Sequence, residues 1–267
     1  MLLKYKKCTN CETYYDPTLQ KCPKCHKLNE LYLNRAISND VAFMHPIAQI
    51  GLFLGGFALA GMLVIELITA LFFRNFITNK IALNAAVLSA TYFLMLTGLA
   101  SIILFTRRNY FFSKYKRGMD YFYGLIYAIT LVLIGSLIGN FITIFYHVSD
   151  NVNQTAASEF SHYYPILALF VIGIVGPICE ELTYRVGLYS FFRRINKWLA
   201  LAITAIVFAL IHFDFEAEDL VNELWSLPSY IAAGIILTLA YEHRGPACSM
   251  TAHVLYNIFA FLVMMAS

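Results

Sequence analysis

Long apolar runs recur along this chain of 267 residues, each bounded by a short charged segment, and nothing else in the sequence restricts its fold as severely. A run of about 20 apolar residues spans a bilayer as one helix. With 60% hydrophobic and 13% charged residues, the composition is that of a polytopic membrane protein and excludes a soluble domain with a large core. The first run follows a polar, cysteine-bearing segment, so no secretory signal is expected.

The apolar runs predict seven spans: 46–73, 81–106, 121–147, 163–192, 198–213, 224–241 and 247 to the C-terminus. Glu66 near the end of the first is expected at the interface. Arg107, Arg108, Lys114, Lys116 and Arg117 form one basic cluster, and Arg193, Arg194 and Lys197 a second. Both mark cytosolic loops by the positive-inside rule. Residues 149–161 read as a polar external loop. The stretch holding Asp214, Glu216, Glu218, Asp219 and Glu223 reads as a solvated external loop without the ligand pattern of an EF-hand. These assignments put the N-terminus inside and the C-terminus outside, in a prokaryotic plasma membrane. Gly51-x-x-x-Gly55 and Gly135-x-x-x-Gly139 permit close helix approach. Cys179 and Cys248 read as packing residues. The expected fold is all-α: a polytopic membrane helical bundle of about seven spans with a small N-terminal zinc-ribbon head. Its divisions are a head over 1–30, an amphipathic linker over 31–45, N-terminal spans over 46–160 and a membrane core over 161–267.

The head carries Cys8-x-x-Cys11, ten residues, then Cys22-x-x-Cys25. Four thiolates in two knuckles suit one tetrahedral structural Zn2+. A pair of disulfides is the alternative, but Lys4, Lys6, Lys7, Lys21, Lys24 and Lys27 place the head on the reducing cytosolic side. Glu12, Asp16, Glu30 and the anionic thiolate centre offset those lysines, so nucleic acid is not an expected partner. His26 adjoins a knuckle, although four cysteines already complete a site.

Within the C-terminal runs, ionisable residues stand where each costs at least about 2.5–3.5 kcal/mol on insertion scales. Pro177-x-x-Glu180-Glu181-x-x-x-Arg185 places Glu181 and Arg185 on one helix face, able to pair, with Glu180 turned about 100° away. Phe208-x-x-x-His212 ends a later run, and His253-x-x-x-Asn257 lies in the last. A buried ion pair that fixes packing accounts for Glu181 and Arg185 but leaves Glu180 without a partner. Two histidines, an asparagine and two glutamates on separate segments together supply a base, imidazole donors or metal ligands, and an amide. At about 1.5 Å per residue, Glu180 lies roughly 18–20 Å from Arg193 and Arg194, His212 roughly 21 Å from Trp198, and His253 and Asn257 roughly 10–18 Å from Gly245-Pro246. All four fall in the middle band of a bilayer, where they can meet.

These three motifs, in this order, resemble the CPBP family of intramembrane proteases, which includes the CAAX prenyl endoprotease and bacterial proteins linked to bacteriocin processing and immunity. The Pro228-Ser229-Tyr230 to Gly234 segment is also similar. The resemblance covers about 160–265 and departs at Val186, where the family carries glycine and this chain has Gly187 one position later. It implies hydrolysis of a peptide bond in a membrane-associated, lipidated or hydrophobic substrate within the lipid bilayer. Glu180 would be the general base, His212 and His253 would hold water directly or through a metal, and Asn257 would bind the oxyanion or the water. Glu181 and Arg185 would fix the first glutamate. Glu180, His212 and His253 also match the ligand set of an active-site Zn2+, in which case Glu181 becomes the candidate base. Likeness to the prenyl endoprotease implies access mainly from the cytosolic side. A non-catalytic adaptor or immunity protein would keep the same helical frame, and a transporter would use such residues as a proton relay.

Overall fold

The helix Pro165–Phe192 is the axis of the molecule: 56% of its apolar window is buried, against 17–33% for the other four long apolar helices. The structure, a computed structural model, describes residues 6–16, 19, 21–27, 44–59, 65–146, 148 and 151–266. Among these, the head has strands β1 (Lys6–Lys7) and β2 (Tyr14–Tyr15) paired antiparallel. The bundle has α1 (Pro46–Leu54, continued by a π-helical turn, Gly55–Leu59), α2 (Ile65–Phe73), α3 (Lys80–Ser113) and α4 (Gly118–Tyr146). It continues with α5 (Val152–Tyr163), α6 (Pro165–Phe192), α7 (Lys197–Leu210), α8 (Leu220–Arg244) and α9 (Pro246–Ala266). Five helices are long and apolar enough to cross a membrane, and Pro46–Phe57 and Lys197–Leu210 are shorter apolar helices, so the chain is a multi-pass membrane protein. The expected amphipathic linker lies almost entirely outside the described residues, as do the side chains of Glu66, Arg107 and Arg108.

Residues 151–161, part of the stretch 149–161 expected as a loop, depart from that reading, while 149 and 150 lie outside the described residues. Asn151 caps α5 with a capping box: its side chain accepts from the Gln154 N–H, and the Gln154 side chain accepts from the Asn151 N–H. That pair satisfies two of the donors a helix start leaves open, and a polar sequence thereby becomes a helix. The buried Glu223 carboxylate accepts from the Val152 N–H at 2.8 Å and ties α5 to the start of α8.

Helix α6 is built in alternating registers. Pro165–Phe170, Gly176–Glu180 and Ser190–Phe192 are α-helical, whereas Val171–Val175 and Glu181–Tyr189 are π-helical. The first π turn precedes Pro177, which has no N–H to give and whose ring crowds the preceding turn. The second carries a wholly buried face from Glu181 through Tyr189. Helix α1 runs antiparallel along it. Arg194 donates to Gln49 Oε1 at 2.9 Å and to the Met44 carbonyl, so the start of α1 sits at the basic end of α6.

The close contacts fall on glycines other than those of the two Gly-x-x-x-Gly motifs. A Cβ on Gly51 or Gly55 would meet its nearest neighbour only at 3.7–3.8 Å, and one on Gly139 would meet nothing within 4 Å. On Gly187 it would lie 2.8 Å from Phe53 N and 3.1 Å from the Gln49 carbonyl oxygen. Gly187, one place beyond the departure at Val186, is thus where α1 and α6 touch backbone to backbone, while Val186 is buried in the core. Gly187→Ala is expected to cost about 1–3 kcal/mol, the usual range for overpacking. Gly98→Ala, on an open face of α3, should not destabilise. Unfolding of the two variants in detergent checks this, and equal stability would contradict it.

Candidate active site

The adjacent carboxylates of α6 part company. Glu181 is fully buried, with Oε1 3.0 Å from Arg185 Nη1 and 2.9 Å from His253 Nδ1. Arg185 is equally buried, and its guanidinium lies 4.5 Å from the centroid of the Phe208 ring. Its nitrogens have no partner of hydrogen-bond geometry among the described residues, so it is held by charge and by the aromatic face. Glu180 points the other way. Its side chain is 12% exposed, Oε1 accepts from the Tyr92 hydroxyl at 3.3 Å, and Oε2 lies 3.7 Å from His253 Nε2.

His253 therefore bridges the two glutamates. A carboxylate beside a guanidinium is an acceptor, so Nδ1 carries a proton towards Glu181, and Nε2 is the nitrogen turned to Glu180. The same logic applies to His212, whose Nδ1 lies 2.8 Å from the Phe208 carbonyl oxygen. That ring stacks on Tyr230, with centroids 4.3 Å apart, and the Tyr230 hydroxyl accepts from Asn153 Nδ2 at 3.2 Å. Glu181 and Arg185, expected to fix Glu180, contact His253 and Phe208 instead.

Asn257 donates from Nδ2 to the Ile172 carbonyl at 2.9 Å. In the π register around Val171–Val175 each N–H reaches back five residues, as Gly176 N–H does to Val171 O. Five residues before Pro177 is Ile172. Asn257 thus supplies, from another helix, the donor that proline lacks.

Glu180, His212, His253 and Asn257 line one cavity of about 580 Å³, together with Tyr92 and Tyr230. Glu181 is not on its wall. Tyr92 escapes a sequence reading because a tyrosine in an apolar run carries no charge to mark it. The cavity also has a definite end. Lining residues begin at Ser136 on α4, end at Glu180 on α6 and at Leu237 on α8, and begin at His253 on α9. Counted from the ends beside the basic clusters and Arg244, these positions lie about 10–27 Å into the bundle at 1.5 Å per residue. At the other end the lining runs out to Val148, Trp225 and Met264. The lining therefore extends towards the end bearing α5 and the acidic stretch, and away from the basic end from which access is expected.

The head gathers a second set of groups. Sγ of Cys8 and Cys25 are 3.5 Å apart, as are those of Cys11 and Cys22, and all four ligand atoms lie within 4.8 Å of one another. The cysteines are free, not disulfide-bonded. A tetrahedral ion with metal–sulfur bonds of about 2.3 Å needs sulfurs about 3.8 Å apart, so the cluster fits a bound metal ion. Each knuckle closes alike: Glu12 N–H donates to Cys8 O and His26 N–H to Cys22 O, with both Glu12 and His26 at φ 57°. His26 is exposed, and its part is this turn. The Thr13 hydroxyl takes the Cys11 thiol down to about 6, while burial pushes Cys22 up to about 11. Among the described residues, Glu180, His212 and His253 do not gather to such a spacing. The residues on the cavity wall do not fit the active-site Zn2+ expected as one alternative.

Residues 162–259 match the family described as type II CAAX prenyl endopeptidase Rce1-like. The match contains Glu180 through Asn257, so the resemblance carried by the three motifs holds over that region. Three relatives come from Lactococcus lactis subsp. lactis (strain IL1403). UPF0177 protein YvdC is 26% identical over 134 residues, 50% of this chain and 49% of that protein. UPF0177 protein YxdF is 31% identical over 114 residues, 42% and 59%. UPF0177 protein YbdJ is 36% identical over 98 residues, 37% of each. The chain thus spans about half the length of the first two. No solved structure matches it.

The pairing of Asn257 with the proline-freed carbonyl makes a quantitative prediction. Asn257→Leu should cost about 1–3 kcal/mol, the penalty for a buried carbonyl left unpaired. In a Pro177→Ala background, where residue 177 regains its N–H, the same substitution should cost much less. A double-mutant cycle by unfolding in detergent measures the coupling, and additive effects would refute the assignment.

Proposed function

We propose that this protein is an intramembrane endopeptidase in which Glu180 activates water. The observation that carries the reading is the juxtaposition of the Glu180 carboxylate with His253 Nε2, 3.7 Å apart on the wall of one cavity, within a segment matching a prenyl endopeptidase family. Standing side by side on the wall, the two groups can both touch one water, with the carboxylate accepting from it. Glu180 takes one proton from that water as its oxygen adds to the carbonyl carbon of the scissile bond. The proton then passes to the amide nitrogen, the C–N bond breaks, and a carboxylic acid and an amine leave, the acid yielding its remaining proton to the amine. His253 orients the water, held by Glu181 and Arg185, and His212 lies on the same wall for the oxyanion or the leaving group. Asn257 keeps the Ile172–Pro177 turn, and with it Glu180, in register. Glu181 is buried between Arg185 and His253 and absent from the cavity wall, which supports Glu180 over Glu181 as the base.

The four cysteines of the head hold one structural Zn2+, and the basic end of the bundle faces the cytosol. The partners are a membrane-associated peptide or protein substrate and the bilayer itself.

Glu180→Gln keeps the shape and hydrogen bonding of the side chain but cannot take a proton. It should lower turnover by about 10²–10⁴-fold, the usual contribution of a general base, with fold and substrate binding intact. Cleavage of a candidate membrane peptide by purified wild type and variant decides this. Unchanged cleavage would exclude Glu180 as base, and a wild type inert towards every such peptide would favour a non-catalytic adaptor. For the head, metal analysis of the purified full chain should find one zinc, lost in Cys8→Ser/Cys22→Ser. Equal zinc in both proteins would remove the head as its site.

A further inference from the structure

The cavity has a polar floor away from Glu180 and His253. Helix α4 is apolar over most of its length, yet Ser136, Asn140 and Thr143 stand at i, i+4 and i+7, one face of the helix, and all three are exposed on the cavity wall. Across from them α8 contributes Ser226 and Ser229, and Asn153 of α5 stands at the mouth. Such groups are costly against lipid and carry no catalytic protonation state, so their gathering on one wall calls for an occupant that hydrogen-bonds.

Three observations narrow the occupant. Hydroxyls and carboxamides both donate and accept, which suits a peptide backbone with its alternating N–H and C=O groups. A helical segment already spends those groups within itself, so only an unwound one can use them. Among the described lining residues Glu180 is the carboxylate and no lysine or arginine lines the cavity. A terminal carboxylate would therefore enter beside Glu180 without a counter-charge, at the high cost of an unpaired buried ion. A volume of about 580 Å³ lies within the range of ligand cavities and is too small for a folded partner.

We propose that this cleft between α4, α8 and α9 is a substrate channel. It admits an extended, uncharged internal peptide segment from the end of the bundle bearing α5 and binds its backbone through Ser136, Asn140, Thr143, Ser226 and Ser229. The proposal rests on the peptidase reading and names its substrate class and direction of access.

The test uses the full chain and a quenched fluorescent peptide of uncharged residues, blocked at both ends. In intact membranes, an impermeant maleimide should modify Asn140→Cys from the same face as Glu218→Cys and opposite to Lys116→Cys. Labelling from the Lys116→Cys face overturns the route. The blocked peptide should slow that modification at least tenfold, in the Glu180→Gln background as well as in wild type. In detergent, Asn140→Leu/Thr143→Val should raise KM about tenfold with kcat within about twofold. The same peptide with a free carboxylate two residues from the scissile bond should be cleaved at least tenfold less efficiently. Cleavage without protection and without a change in KM sinks the channel and leaves the peptidase standing. Protection without cleavage by wild type sinks the peptidase and leaves the channel.

Discussion

One ion pair in the middle of an apolar bundle constrains everything around it. Glu181 and Arg185 are both inaccessible to solvent, and removing one partner of such a pair typically costs about 3–5 kcal/mol because the other is left charged and buried. An apolar pair would fill the space at no such risk, so the pair is better understood by what it orders. Through Arg185 it meets Phe208 of α7, and through Glu181 it meets His253 of α9. Three helices are thereby held in one rotational register. The cavity-facing nitrogen of His253 is a consequence, because Glu181 claims the other.

Pro177 and Asn257 repeat that logic with neutral groups. A proline in a membrane helix leaves a carbonyl that lipid cannot satisfy. Here the answer comes from Asn257, one helical turn beyond His253 on the same face of α9. The polar atoms of α9 that reach α6 therefore do two jobs on one line: His253 reads Glu181, and Asn257 reads the turn before Glu180. Glu180 lies three residues beyond Pro177, and its placement against His253 follows from both contacts together.

Much of this was legible from spacing. Ionisable residues in apolar runs are conspicuous, so Glu180, Glu181, Arg185, His212, His253 and Asn257 stood out, and the structure brings four of them to one cavity. Five of the seven expected spans were legible because charges mark their ends, while the runs 46–73 and 198–213 hold only shorter apolar helices. The π register was not, since a reading at 3.6 residues per turn contains no sign of i→i+5 bonding. Neither was the floor of Ser136, Asn140 and Thr143, for hydroxyls and amides hide in an apolar run where a carboxylate would not. Helix α5 was missed because its polar sequence reads as a loop until the cap of Asn151 is seen. The glycine motifs misled for a related reason. Close approach depends on which face meets a neighbour, and Gly56, Gly124, Gly187 and Gly234, none of them in those motifs, are the glycines that do.

Hydrolysis inside a bilayer needs water and an unwound backbone at the same point, and both need polar surface. In the proposed reading, the half of α4 from Ser136 onward supplies it. Its Ser136–Thr143 face leads from Glu180 to the end of the bundle where the acidic residues lie, while the other end of α6 is closed by Tyr189, Arg193 and Glu242, with the Tyr189 hydroxyl donating to Glu242 at 2.6 Å. The chain enters the bundle at Met44 beside Arg194, at that closed end. Met44 therefore lies on the far side of the buried Glu181–Arg185 pair from the cavity mouth, and that pair, through His253 and Phe208, separates the basic end of the bundle from the polar wall of α4.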